Sequence, residues 1–446
     1  MSTVTFDTRD EFNRKPIATK LESLLSSEID ISPLVIDGNW GTGKSEFCLK
    51  LVELMKEKDE SHVIYIDSFK ADHMEEPLLM ILSEVIKVLP EDSKKNVLKY
   101  AMPVLKYGTK AAGKALVGHL LRQDANESVE AFSKEIQTAA NGAIDATVNS
   151  LMKDHAKAQQ NLAALQNALK QIVADKKIVI FIDELDRCKP DFSVRILEVI
   201  KHIFNIDGLD FVLVSNFEQL AASINNTYGE NIDAQEYLDK FIKFKISLPT
   251  VISTAGYEPT WISVLHYLTL TEHSTVLDNT MLWMDDLQSF ASAYIRINNL
   301  SLREVETLVR HIEVYHHLSG GKGLSTAHTY PLVLLRLFGI IIFTFHKDMV
   351  DSIFKHAVDA KKIANVFKDG GIMNLSPDDA GVPEHYQVLL TMLGSECQFN
   401  SDLYKSTEGY SEREWKEILN QYYQQSGRPE EGLAVIEETI STLNLG

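Results

Sequence analysis

The chain has 446 residues, 45% of them hydrophobic, so it has room for about three ordinary domains with real cores and is not a disordered polypeptide. A formal net charge of −19 repels polyanions, which disfavours nucleic acid as the main partner. Cys48, Cys188 and Cys397 lie far apart in no metal-ligand spacing, and Met1–Arg14 lacks the apolar core of a signal peptide, so the expected location is the reducing cytoplasm.

Residues 1–30 read as a lead-in and a helix from Arg14 to Leu25, a flap of the kind that contacts a nucleotide base. The apolar run Leu34-Val35-Ile36 then meets Gly38-Asn39-Trp40-Gly41-Thr42-Gly43-Lys44-Ser45, and an amphipathic segment opens at Glu46 and runs to Lys56. A buried strand that turns through glycines into a helix is the setting of a phosphate-binding loop. Glycine lets successive N–H groups and the helix N-terminus face an anion without side-chain clashes. Lys44 is expected to bridge the β- and γ-phosphates, Ser45 to ligate Mg²⁺, and Gly38 through Glu46 to form the nucleotide cradle.

The next strand is His62–Asp67, alternating and β-branched, followed by a helix from Pro77 to Leu89. An insertion then spans about residues 91–174. In it Lys99, Lys106, Lys110 and Lys114 share one helical face opposite Met102, Leu105, Ala112, Leu116 and Leu120, with Pro103 near the start or at a kink. Two readings stand: a solvated lysine face over ordinary core, and a peripheral contact with anionic lipid or an acidic partner. Leu162, Leu165, Leu169 and Ile172 keep a 3,4,3 spacing, which fits packing on the core or a projecting helical hairpin.

Ile178-Val179-Ile180-Phe181-Ile182 is a strand buried on both faces, and it ends in Asp183-Glu184. The C-terminal ends of such strands hold ligands. Asp183 is expected to hold the Mg²⁺ hydration shell and Glu184 to polarise the attacking water. After a helix from Phe192 to Phe204 comes the strand Phe211–Asn216, whose tip residue Asn216 can orient the same water. Ile242–Leu248 supplies a fifth strand, closed by Pro249. Residues 251 to about 320 look helical, with Ser301-Leu302-Arg303-Glu304 as a capping box. The apolar run Leu332–Phe345, interrupted by Arg336, is too short to span a membrane and reads as a core helix or buried strand. A loop at Ser376–Gly381 and two helices between Ser411 and Leu445 close the chain.

Taken together, the loop with its Trp40, the string Asp183-Glu184-Leu185-Asp186-Arg187-Cys188, and Glu236-Tyr237-Leu238-Asp239-Lys240-Phe241-Ile242 ahead of Leu248-Pro249 resemble the KAP family of P-loop NTPases over roughly residues 10–310. The resemblance implies an α/β fold with a five-stranded, mostly parallel sheet flanked by helices. It also implies a long helical insertion between the P-loop and acidic strands, and a helical lid and C-terminal region. The Asn216 strand would lie between the P-loop strand and the Asp183 strand. The expected division is a core at 1–250, a lid at 251–325 and a C-terminal domain at 326–446.

The same resemblance implies ATP and Mg²⁺ as ligands, hydrolysis of ATP by a switch or motor, and a link to phage exclusion in bacterial relatives. It makes Arg187 a candidate for stabilising transition-state charge, within the chain or across a subunit boundary, against an ion pair with Asp183 or Asp186. Arg303 becomes a candidate lid arginine that senses the γ-phosphate. A homo-oligomer or an effector-bearing partner protein is the expected assembly. Two departures stand out: the insertion carries the lysine stripe where many members have membrane hairpins, and Asn216 replaces the family's usual Asp. An ATP-dependent scaffold with little turnover is the alternative function.

Overall fold

The computed structural model describes residues 4–71, 76–108, 148–252, 259–368, 384–404 and 431–445. The chain divides into two compact units. Met1–Asn39 with Gly43–Leu248 form the first, and Trp40–Thr42 with Pro249–Gly446 form the second.

The first unit is built on five strands: β1 (Leu34–Asp37), β2 (His62–Asp67), β3 (Ile178–Asp183), β4 (Leu209–Ser215) and β5 (Phe244–Ser247). Their order is β2-β3-β4-β1-β5, and every pairing is parallel. The Asn216 strand therefore separates the P-loop strand from the Asp183 strand. Side chains alternate between two cores, as the period of two requires. Leu34, Ile36, Val179, Phe181, Val212 and Val214 pack on one face, beneath α1 (Lys15–Leu25) and α2 (Lys44–Lys58). Val35, Ile178, Ile180, Ile182, Phe211 and Leu213 fill the other. Every residue of β3 is buried, which is why its sequence runs apolar without alternation.

The insertion contributes to that second core. α3 (Glu91–Gly108) packs against α4 (Val148–Asp175), with Val97, Ala101, Leu165 and Leu169 buried. The 3,4,3 leucine spacing thus serves core packing. Pro103 lies inside α3, not near its start. Lys99 is exposed on that helix, and the rest of the lysine stripe lies outside the residues whose side chains are described. After β4 the first unit continues through a helix at Phe217–Tyr228.

The second unit has one core running from Tyr267 to Leu443, so segments 251–325 and 326–446 share it. Its centre is the helix Tyr330–Phe345, which settles the Leu332–Phe345 run as a buried helix; Arg336 donates to the Gly323 carbonyl at 2.8 Å. Gly339 permits close approach of the helix Gly432–Leu443, since a Cβ there would lie 3.0 Å from Thr439 Cβ. Ser301 caps the helix Leu302–Leu318 as expected, its Oγ accepting from the Glu304 N–H while Glu304 Oε2 accepts from the Ser301 N–H. The expectation that residues 251 to about 320 are helical needs correction at its start, where Val251–Ile252 and Thr260–Trp261 pair as a small antiparallel ribbon. Two-residue strands are below any run that periodicity detects. The Ser376–Gly381 loop and residues 411–430 lie outside the described residues. Among the described residues, no helix is long and apolar enough to cross a membrane.

Candidate functional site

The parallel pairing lines up the C-terminal strand ends. Asp67 is in register with Asp183, Asp183 with Val214, and Ser215 with Asp37. Residues just past these ends therefore fall along one edge of the sheet, where open α/β sheets bind ligands.

Past Asp37 the chain enters the glycine loop. Asp37 Oδ1 accepts from the Phe217 N–H at 2.9 Å, which anchors the loop's first end. Gly43, at φ +80°, is the N-cap of α2 and has no side chain to satisfy the first-turn N–H groups. Those donors are what an anion can take up. Lys44 is 9% exposed, and its Nζ donates to the carbonyls of Gly38 (2.5 Å) and Asn39 (3.0 Å), so the ammonium is held across the loop. Burial lowers the Lys44 pKa, and the charges of Asp186, Asp183, Asp37 and Glu184 oppose that shift. Trp40 is exposed. Within the second unit the Leu302 N–H donates to the Gly41 carbonyl at 2.9 Å. Gly41 has φ +77°, and a Cβ on it would lie 2.7 Å from Arg303 Cβ and 2.9 Å from Ser301 Oγ. Only glycine fits that place.

Asp183, 1% exposed, ends β3. Its Oδ1 accepts from the Glu184 N–H (2.8 Å) and its Oδ2 from the Tyr65 hydroxyl (2.6 Å). Glu184 follows at φ +61°, a left-handed conformation uncommon for a residue with a side chain. Such strain persists only where the surroundings fix it, and it collects at functional sites. Ser45 Oγ donates to Glu184 Oε1 at 3.4 Å, joining the start of α2 to the tip of β3. Burial raises the Glu184 pKa; Arg187 counters it, and Asp183, Asp186 and Asp67 add to it.

Arg187 is turned onto its own chain, with Nε 2.5 Å from Glu184 Oε2. The acid it pairs with is thus Glu184, where the sequence had pointed to Asp183 or Asp186. Asn216 serves as the N-cap of the helix Phe217–Tyr228: its Oδ1 accepts from the N–H groups of Glu218 (3.0 Å) and Gln219 (3.4 Å). Its Nδ2 donates to Asn39 Oδ1 at 3.4 Å, so the same side chain touches the loop. The Glu46 carboxylate pairs with Lys50 at 2.7 Å within α2 and lies 4.0 Å from Arg9 Nε of the N-terminal segment.

Sequence reasoning passed over three residues here. Tyr65 reaches from β2 to Asp183, and Ser68 Oγ donates to the Asp183 carbonyl at 2.6 Å. Arg14, 6% exposed, donates from Nη1 to the Gly43 carbonyl at 3.5 Å, tying the lead-in to the loop. Only the β2–β3 neighbourhood would have exposed the first two, and strand order is not written in any single stretch.

The donor set is oxygen alone: the Ser45 hydroxyl and the carboxylates of Asp183 and Glu184. Hard divalent cations that keep several waters and bind through one or two protein oxygens plus phosphate suit such a set. Among the described residues no cluster of three or more His, Cys, Asp or Glu side chains could hold a metal by itself. No curated protein matches the chain. The KAP family P-loop domain matches residues 14–318, well over half of the sequence, and the glycine loop, the acidic strand tip and the strand order all lie inside that span. The chain belongs to the KAP family of P-loop NTPases.

Proposed function

We propose that the chain is a Mg²⁺-dependent ATPase that works as a conformational switch. The observation that carries this reading is the 3.4 Å contact between Ser45 Oγ and Glu184 Oε1, which brings two segments 139 residues apart to one place. In this reading the N–H groups at the start of α2 and the Lys44 ammonium bind the β- and γ-phosphates. Ser45 and Asp183 hold Mg²⁺, which offsets phosphate charge when bound. Glu184 takes a proton from the attacking water, a task that suits a carboxyl whose pKa burial raises above its ordinary value. Asn216, hydrogen-bonded to Asn39 and capping the next helix, couples the loop to β4.

The Arg187–Glu184 pair also favours a second reading, a nucleotide-dependent scaffold of low turnover. A carboxylate held by a guanidinium at 2.5 Å is a weaker base, and turnover then waits on release of that pair. Phosphate release by the wild type and by Glu184→Gln, with and without Mg²⁺, separates the two. The ATPase reading expects the variant to lose activity by about 10²-fold or more while retaining bound ATP. Equal rates in both proteins would leave only the scaffold. A cellular output that the family resemblance allows is exclusion of phage from a bacterial host, the role often associated with bacterial relatives. Plaque counts on cells making the wild type or Glu184→Gln test it, and equal counts speak against it.

A further inference from the structure

Asp183 is clamped from the neighbouring strand by two different donors. Tyr65, two residues before the end of β2, gives its O–H to the carboxylate oxygen Oδ2 at 2.6 Å. Ser68, just past the end of β2, gives its O–H to the main-chain carbonyl at 2.6 Å and itself accepts from the Cys188 thiol at 3.4 Å. The register of Asp67 with Asp183 puts both donors within reach. Either contact would serve to hold β2 against β3. The Tyr65 contact does more, because it fills one lone pair of the carboxylate itself.

A carboxylate oxygen has about two acceptor directions, and here each oxygen has already given one: Oδ1 to the Glu184 N–H and Oδ2 to Tyr65. The carboxylate is thus fixed in rotation and has one direction left on each oxygen. That arrangement favours accepting hydrogen bonds from water on a cation over ligating the cation with both oxygens. Mg²⁺ sheds its waters reluctantly and usually keeps several of them in a near-octahedral shell, whereas the more flexible Ca²⁺ shell readily takes carboxylates as mono- or bidentate ligands. The phenol is the donor in this contact, since a tyrosine carries its hydroxyl proton at neutral pH and the carboxylate oxygen can only accept.

We infer that Tyr65 is a positioning residue that holds Asp183 for water-mediated contact with the cation and thereby sets the site's preference for Mg²⁺ over larger divalent ions. The inference rests on the ATPase reading above and names a determinant of its metal choice. Tyr65→Phe keeps the ring and its packing and frees Oδ2. Ser68→Ala loosens the same strand tip without touching the carboxylate, so it reports a purely structural effect.

The test measures binding of a fluorescent, slowly hydrolysed ATP analogue to the full chain as Mg²⁺, Mn²⁺ or Ca²⁺ is titrated, alongside the thermal midpoint of each variant. Tyr65→Phe should raise the Mg²⁺ concentration for half-saturation by about tenfold, the worth of one hydrogen bond to a charged group, while the Ca²⁺ value stays level or falls. Ser68→Ala should lower the thermal midpoint and leave the Mg²⁺-to-Ca²⁺ ratio as in the wild type. An unchanged ratio in Tyr65→Phe, with the wild type binding in a metal-dependent way, overturns the role of Tyr65 alone. Metal-independent binding by the wild type overturns both this inference and the reading it rests on.

Discussion

Arg187 Nε lies 2.5 Å from Glu184 Oε2, three residues back along the same short turn. The partner acid has Ser45 Oγ at 3.4 Å on its other oxygen, so one carboxylate is shared between a guanidinium and the hydroxyl that starts α2. The Glu184 backbone at φ +61° aims the side chain at both. An arginine that restrains the acid nearest the glycine loop controls how basic that acid is.

This pairing fixes the sign of a pH effect. Glu184 is a base only above its pKa, and burial raises that pKa while Arg187 holds it down. The acid limb of the activity profile should therefore lie above the ordinary glutamate value of about 4.3. Arg187→Met should move the limb to higher pH still. Steady-state phosphate release from pH 4 to 9 reads both positions, and a limb that moves to lower pH in the variant would contradict the arrangement.

Asn216 does two things at once, and substitutions separate them. Asn216→Ala removes a helix cap and should cost about 1 kcal/mol of stability in chemical denaturation, along with the contact to Asn39. Asn216→Asp keeps a capping oxygen but loses the donor to Asn39 Oδ1. It should be close to wild type in stability and weakened in ATP affinity. Equal affinity in Asn216→Asp and wild type would confine the residue to capping.

Assembly is the next expectation. Supplying an arginine in trans to a P-loop site is worth about 10³ to 10⁵ in rate, and the Arg187 of this chain is engaged with its own Glu184. Specific ATPase activity should then rise with protein concentration as a second copy or a partner protein provides the missing charge. Dilution across the range in which light scattering reports a change of mass checks this. A flat specific activity from a monomer would count against it.

Much of this was legible in the chain itself. The glycine loop between an apolar run and an amphipathic segment located the first strand-to-helix turn, and Ile178–Ile182 announced a strand buried on both faces because it never alternates. Capping at Ser301 was equally plain, since the box depends on residues only three apart. What escaped were contacts made across strands. Tyr65 reads as one more aromatic in an alternating strand until β2 is known to lie beside β3, and Asn216 reads as a strand tip until its amide is seen capping the following helix. Arg187 shows the limit most clearly: three carboxylates lie within the four residues before it, and the left-handed turn at Glu184 decides which of them it meets. The two-residue ribbon at Val251–Ile252 was beyond reach for a different reason, being shorter than any repeat that could reveal it.

One measurement bears most directly on the whole account: a crystal structure of the chain with Mg²⁺ and a nonhydrolysable ATP analogue. The cation should be ligated by Ser45 Oγ at about 2.1 Å and by phosphate oxygens, with the Asp183 carboxylate hydrogen-bonded to a water on that cation and Glu184 facing the γ-phosphate. A cation bound elsewhere, or one that Asp183 reaches neither directly nor through a single water, would contradict it.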